Sequence, residues 1–296
     1  MRLHELIDLL DIRKQLKKID ARIDAKFIEE RADEFALDSI NNCLLCKEDL
    51  LAERHLITEF CLEDILHNLS HTDYKAFVLY SGDLINHNMF KLPYDKVSLS
   101  FHFHAENNMI VEQKENNHFE IRIFQELDPT EDIPIPIIDA LLYKFHFITD
   151  EIENNPSFVI DEIRELTLQD QITEELQKEL LSAAQVHISA MLAIVGLLSS
   201  EGAIVDVKKA PKFINKKRIA KGLAPIGDLH EIKIVVGGVK YKVSGDSESG
   251  TKKRLHWRRG HIRRLHKGGI TNVRPCLVGQ LDGKIPQLPT YKIEAA

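Results

Sequence analysis

The sequence predicts an α+β fold: a helical N-terminal region with an antiparallel β-meander and a long helix, followed by a small basic β-rich domain. Three observations predict it. Apolar residues recur at spacings of three and four through a first 81 residues that hold neither Gly nor Pro. Apolar and polar residues then alternate in short runs between 96 and 125. Finally, the charge changes sign near residue 200. Residues 201–296 carry 21 Lys+Arg against 8 Asp+Glu, a net +13, and residues 1–200 keep −20 of the overall −7.

The elements follow in order. Leu3, Leu6, Ile7, Leu10, Ile12, Leu16 and Ile19 predict a helix within 1–35, and Leu50, Leu51, Leu56, Ile57, Phe60, Leu62, Ile65 and Leu66 a second over about 47–69. Tyr74–Tyr80 is a short aromatic and β-branched run stopped by Ser81-Gly82-Asp83, and it opens the meander expected over 74–125. In Lys96–His104, Val97, Leu99, Phe101 and Phe103 share one face of a half-buried strand, with Ser98, Ser100, His102 and His104 on the other. Met109–Gln113 and His118–Gln125 continue the meander, and Ile133-Pro134-Ile135-Pro136 ends it. Helix is expected again at Ile137–Phe147 and, longer and more apolar, from Thr173 to Ser199.

Ser199-Ser200-Glu201-Gly202 closes that helix and divides an acidic domain, 1–200, from a basic one, 201–296. In the basic domain Pro211 starts a short helix, Lys212–Gly222, and Gly222 with Pro225 stops it. Strands are expected at Glu231–Val236, Lys240–Val243, His261–Leu265, Asn272–Val278 and Tyr291–Ile293, with a tight turn at Gly268-Gly269. Ser244–Thr251 is polar and Gly/Ser-rich and reads as a mobile loop.

Other readings bound the function. No apolar run reaches the roughly 18 residues of a membrane span, Ile188–Leu198 being the longest candidate, and Met1–Glu5 lacks a signal-peptide pattern. A cytoplasmic location is therefore expected. Cys43, Cys46, Cys61 and Cys276 are too scattered for a disulfide framework. Cys43 and Cys46 have metal-ligand spacing, but with Leu44-Leu45 between them they read as core cysteines on one helix face. His102 and His104, with His118 from a neighbouring strand, read as solvent-facing strand histidines rather than ligands. No metal and no cofactor are expected.

The densest feature is Lys252–Lys267. It holds eight Lys or Arg, three His, the only tryptophan and no acid. Clustered cations neutralise phosphates, and an aromatic offers a base a stacking plane. The residues expected to contact nucleic acid, RNA ahead of DNA, are Lys216, Lys217, Arg218, Arg254, Trp257, Arg258, Arg259, Arg263, Arg264 and Arg274. A metal-independent ribonuclease is the alternative. His256 and His261 would then act as acid and base, with Arg259 on the phosphate and Tyr291 nearby. A third reading is an interaction protein whose acidic and basic halves pair. A host protein, or a second copy through the N-terminal domain, is the further partner expected; a membrane is not.

Two stretches resemble a group of uncharacterised phage and prophage proteins. Leu92-Pro93-Tyr94-Asp95-Lys96-Val97 resembles their strand opening. Over about 205–293, Asn215-Lys216-Lys217-Arg218 with Gly222 and Pro225, then His256-Trp257-Arg258-Arg259-Gly260-His261-Ile262-Arg263, are similar to their basic module, H-x-R-R-G-H-x-R. Val273–Gly279 and Tyr291-Lys292-Ile293 are similar to their last strands. The resemblance implies a phage origin and action inside a bacterial host, and it implies no activity. Group members carry a Trp in the strand where this chain has Thr271-Asn272-Val273.

Overall fold

The computed structural model describes residues 1–11, 41–61, 70–103, 105–114, 117–127, 137–148, 157–166, 174–201, 203–234, 256–266 and 268–278. Its centre is an eight-stranded mixed sheet. In chain order the strands are β1 (Thr58–Cys61), β2 (Lys96–Phe103), β3 (Ala105–Gln113), β4 (His118–Leu127), β5 (Ile137–Ile148), β6 (Ser157–Glu165), β7 (Ala203–Lys208) and β8 (Leu229–Ile234). Their spatial order is β6-β5-β4-β3-β2-β1-β8-β7. β2 to β6 form an antiparallel meander, and β1 pairs in parallel with both β2 and β8.

Helices cover both faces. One face carries Val97, Leu99, Phe101, Met109, Val111, Phe119, Ile121, Ile123, Tyr143 and Phe145. Against it pack α3 (His71–Asn86), through Phe77, Tyr80, Leu84 and Ile85, and α4 (Glu174–Leu198), through Ile188, Met191, Ile194, Val195 and Leu197. The opposite face carries Ile110, Phe124, Ile138 and Ala140. It is covered by α1 (Leu3–Leu9), through Leu3, Leu6 and Ile7, and by α2 (41–53), through Cys43 and Leu50. An α+β fold results, with a large mixed sheet and, among the described residues, five helices, the fifth being α5 (Lys212–Ala220).

Two expected elements change type. Tyr74–Tyr80 lies inside α3 and is not a strand. The Ser70 hydroxyl caps the helix by accepting the Asp73 N–H at 3.1 Å, and Tyr74, Phe77, Ser81 and Leu84 then fall on one side at helical spacing. Ser81-Gly82-Asp83 does not stop it. Ser81 donates to the Leu192 carbonyl at 2.7 Å, and a Cβ on Gly196 of α4 would stand 2.8 Å from the Phe77 carbonyl, so small residues let the two helices approach closely. Ile137–Phe147 is β5 and not a helix. Leu141, Tyr143, Phe145 and Phe147 alternate toward α3 and α4, while Ile138 and Ala140 face α1 and α2. A strand buried on both faces loses the polar half of its pattern.

Smaller corrections follow from the same layering. Part of the second predicted helix, Thr58–Cys61, is a central parallel strand. Ser98 and Ser100 are fully buried, because β2 is covered on both faces; the Asn108 side chain donates to both hydroxyls at 3.0 and 3.1 Å. The boundary expected at 200–201 runs through the sheet, since β7 and β8 are its last two strands. α4 and α5 match their predicted segments. α4 is long and apolar enough to cross a membrane over 178–198, but 61% of its most apolar window is buried against the protein's own core, which accounts for that composition. Most of the predicted first helix and the segments Lys240–Val243, Ser244–Thr251 and Tyr291–Ile293 lie outside the described residues.

Candidate functional site

The basic C-terminal run forms two separate two-stranded ladders. β9 (His256–Arg258) pairs antiparallel with β12 (Cys276–Val278), and β10 (His261–Arg264) with β11 (Ile270–Val273). Between β9 and β10 the chain breaks at Arg259-Gly260. A Cβ at Gly260 would lie 2.5 Å from the Tyr80 ring and 2.6 Å from Pro275, so only glycine allows the approach. The single ten-residue strand that would place alternate residues of 256–265 on one face is therefore absent, and His256 and His261 belong to different ladders.

Several contacts seat this module on α3 and on the C-terminal end of α4. Ile262 is partly buried and packs against the main core. The Tyr80 hydroxyl donates to Asn272 Oδ1 at 3.0 Å, and burial raises its pKa. Arg274 donates to the Ser199 and Ser200 carbonyls at 2.6 and 2.9 Å, at the C-terminal end of α4 where carbonyls are unpaired and the helix dipole favours a cation. The Glu201 N–H donates to the Pro275 carbonyl at 2.6 Å.

These contacts sort the predicted residues. Arg258, Arg259, His261, Arg263, Arg264 and His266 are exposed, and no acid occurs between 252 and 278. Ile262 points at the core, so His261 and Arg263, its neighbours in the strand, point away from it. Arg259 lies 3.4 Å from Asp83 of α3. Arg274 holds the helix end. The side chains of His256 and Trp257 and all of Arg254 and Tyr291 lie outside what is described. Among the described residues, no side chain hydrogen-bonds His261; the side chain of His256, its partner in the ribonuclease reading, lies outside them.

α5 divides in the same way. Asn215 donates to the Ile226 carbonyl at 2.8 Å and accepts the Ile226 N–H at 2.7 Å. Arg218 donates to the Ala224 carbonyl at 2.7 Å and pairs with Asp8 of α1. Gly222, at φ +66°, ends the helix in the left-handed conformation that suits glycine. The Asn, Arg and Gly of this motif thus serve the fold. Lys216 and Lys217 remain exposed, with the Lys217 ammonium 4.5 Å from the centroid of Phe213, whose ring is 71% exposed. Phe213 escaped the sequence reading because a phenylalanine on a short helix reads as core.

A second constellation was half visible. The His102 side chain and His104 lie outside the described residues, while His118 is described. It stacks on His146, with centroids 4.9 Å apart, and His146 Nδ1 lies 3.0 Å from both Asp161 oxygens. Both partners were hidden: His146 in a segment expected to be helical, Asp161 in a strand that was not foreseen. The thiols of Cys43 and Cys46 meet the core expectation, and burial pushes them up to about 12 and about 11.

Fold and surface together define a helix-covered mixed sheet with a basic β appendage. No protein-family model matches the chain, nor does any curated protein or solved structure.

Proposed function

We propose that the chain binds nucleic acid through its basic C-terminal strands, within the bacterial host that the phage resemblance implies. The observation that carries the reading is the outer face of β10 and its flanks. Arg258, Arg259, His261, Arg263, Arg264 and His266 are exposed around a strand anchored from beneath by Ile262. A cationic strand held rigidly on a core presents its charges without paying much ordering entropy, and phosphates are the partner such charges fit. Lys216 and Lys217 with the exposed Phe213 ring offer the charge-plus-aromatic combination that holds single-stranded nucleic acid. Arg218 and Arg274 leave the set of contacting residues, since their guanidinium groups hold carbonyls and a carboxylate of the fold.

The test is fluorescence anisotropy with labelled single-stranded RNA and duplex DNA in excess EDTA, across a salt series. Wild type and Arg263→Ala/Arg264→Ala are compared. The expected result is binding that weakens as salt rises, with the log–log salt slope shallower by about 0.7 for each lost phosphate contact on single strands. Absence of binding to either nucleic acid at low salt refutes the reading. RNA shortened by wild type and left intact by His261→Ala would replace it with the ribonuclease.

A further inference from the structure

We infer that His118, His146 and Asp161 form a binding site for a divalent transition-metal ion of the zinc class, with solvent completing the coordination. The site lies on the meander strands β4, β5 and β6, and it stands independently of the nucleic-acid reading.

Register brings the two imidazoles together. His118 of β4 and His146 of β5 are direct cross-strand partners, so their side chains leave the sheet on the same face. On the next strand the regular ladder would not place a carboxylate there. Lys144 pairs with Glu162, and Phe145 pairs with Ile160, so Asp161 is the extra residue of a β-bulge. A bulge re-aims the side chain it displaces. Here it turns Asp161 toward His146, and the ligand atoms of all three residues lie within 4.8 Å of one another. A zinc-class ion at about 2.0–2.2 Å from each ligand atom needs those atoms roughly 3.4 Å apart. The His146–Asp161 separation is already 3.0 Å, and His118 and Asp161 are exposed, so small rotamer changes close the rest.

The ligand set selects the metal. Two imidazoles and a carboxylate suit borderline ions, zinc, cobalt, nickel and copper(II), rather than magnesium or calcium, which prefer all-oxygen shells. Three protein ligands leave a position for solvent, and the site borders an open groove of about 890 Å³ lined in part by His118, Asp161, Lys91, Lys114 and Lys144. An open fourth position distinguishes a ligand-accessible centre from a closed structural one. Cys43 and Cys46 do not compete well: the first is buried and the second partly buried, burial holds both protonated, and the thiolate is the form that binds metal.

Isothermal titration of the purified full-length chain with zinc chloride, and optical titration with cobalt(II), test the site. Wild type is expected to take up about one ion per chain through N/O ligands, without the thiolate-to-cobalt charge-transfer band. His118→Ala, His146→Ala and Asp161→Asn should each weaken it by roughly tenfold or more. His102→Ala/His104→Ala should leave binding intact. Zinc should raise the thermal midpoint of wild type and not of His146→Ala, since an ion that binds only the folded state stabilises it. Unchanged affinity in both His118→Ala and His146→Ala, a sulfur charge-transfer band, or loss of binding only in the His102/His104 variant would each overturn the assignment.

Discussion

Replacing Gly260 by Ala asks whether the basic strands are seated on α3 or merely lie near it. The added Cβ would stand 2.5 and 2.6 Å from two atoms of the Tyr80 ring and 2.6 Å from Pro275 Cδ. Ordinary carbon contacts begin near 3.4 Å, so about 0.9 Å must be found on two sides at once. Neither side yields easily. Tyr80 is fully buried among Phe77 and Leu84, and turning it costs the hydroxyl its bond to Asn272. Pro275 is a closed ring whose carbonyl also holds the Glu201 N–H. Overpacking of this kind costs about 1–3 kcal/mol, and the lost hydrogen bond about 1 more. Urea unfolding followed by Trp257 fluorescence and by far-UV circular dichroism is the assay. Trp257 is the only tryptophan and lies in β9, so its signal reports on the module. We expect the fluorescence transition of Gly260→Ala to shift to lower urea by an amount equal to about 2–4 kcal/mol, ahead of the dichroism transition. A variant within about 0.5 kcal/mol of wild type by both probes would show that β9 and β10 do not rest on Tyr80.

Two further outcomes follow from buried charge. Glu59 is almost wholly buried and accepts from Arg2 Nε at 3.0 Å, the Leu3 N–H at 3.3 Å and Arg54 at 3.4 Å, tying α1 to β1. Glu59→Gln leaves two part-buried guanidinium groups without their counter-charge and should cost about 3 kcal/mol in urea unfolding; less than 1 kcal/mol would mean that solvent screens the cluster. His187 of α4 has its pKa lowered to about 4 by burial, from an ordinary 6.5. A depressed histidine is neutral in both states above pH 6.5, and below it the unfolded chain takes the proton first. Stability should therefore fall by up to roughly 1.4 kcal/mol per pH unit between about 6.5 and 4, and His187→Gln should flatten that part of the stability–pH curve if the slope belongs to this residue.

The layers set what could be read from the residues alone. α4 and α5 were legible because each has one strong marker: an unbroken apolar stripe, or a Pro start and a Gly stop. β4 was legible because Phe119, Ile121 and Ile123 alternate with polar residues. β5 was not, because it lies between two helical layers, and the alternation of Tyr143, Phe145 and Phe147 with Lys144 and His146 begins only halfway along. The error at Tyr74–Tyr80 has another cause. Local aromatic content suggested a strand, and the Ser70-x-x-Asp73 cap that decides for helix lies just outside the run. The sheet order was beyond reach, since β1 joins β8 across some 170 residues of intervening chain.

The same distinction between local and distant information explains the basic module. Charge counting identified it but treated all its cations alike. Their roles depend on partners far away in the chain: Asp8 for Arg218 and the end of α4 for Arg274. A cation at a helix end or paired with a part-buried carboxylate of the fold is anchored, because withdrawing it leaves that group unpaired. Arg263 and Arg264 are both exposed on a strand that packs on the core through Ile262, so their exchange for alanine removes charge without removing that support. Substitution at Arg274 or Arg218 would lower stability and binding together and would say little about contact. Substitution at Arg263 and Arg264 separates the two, and that is why the nucleic-acid reading is best tested there.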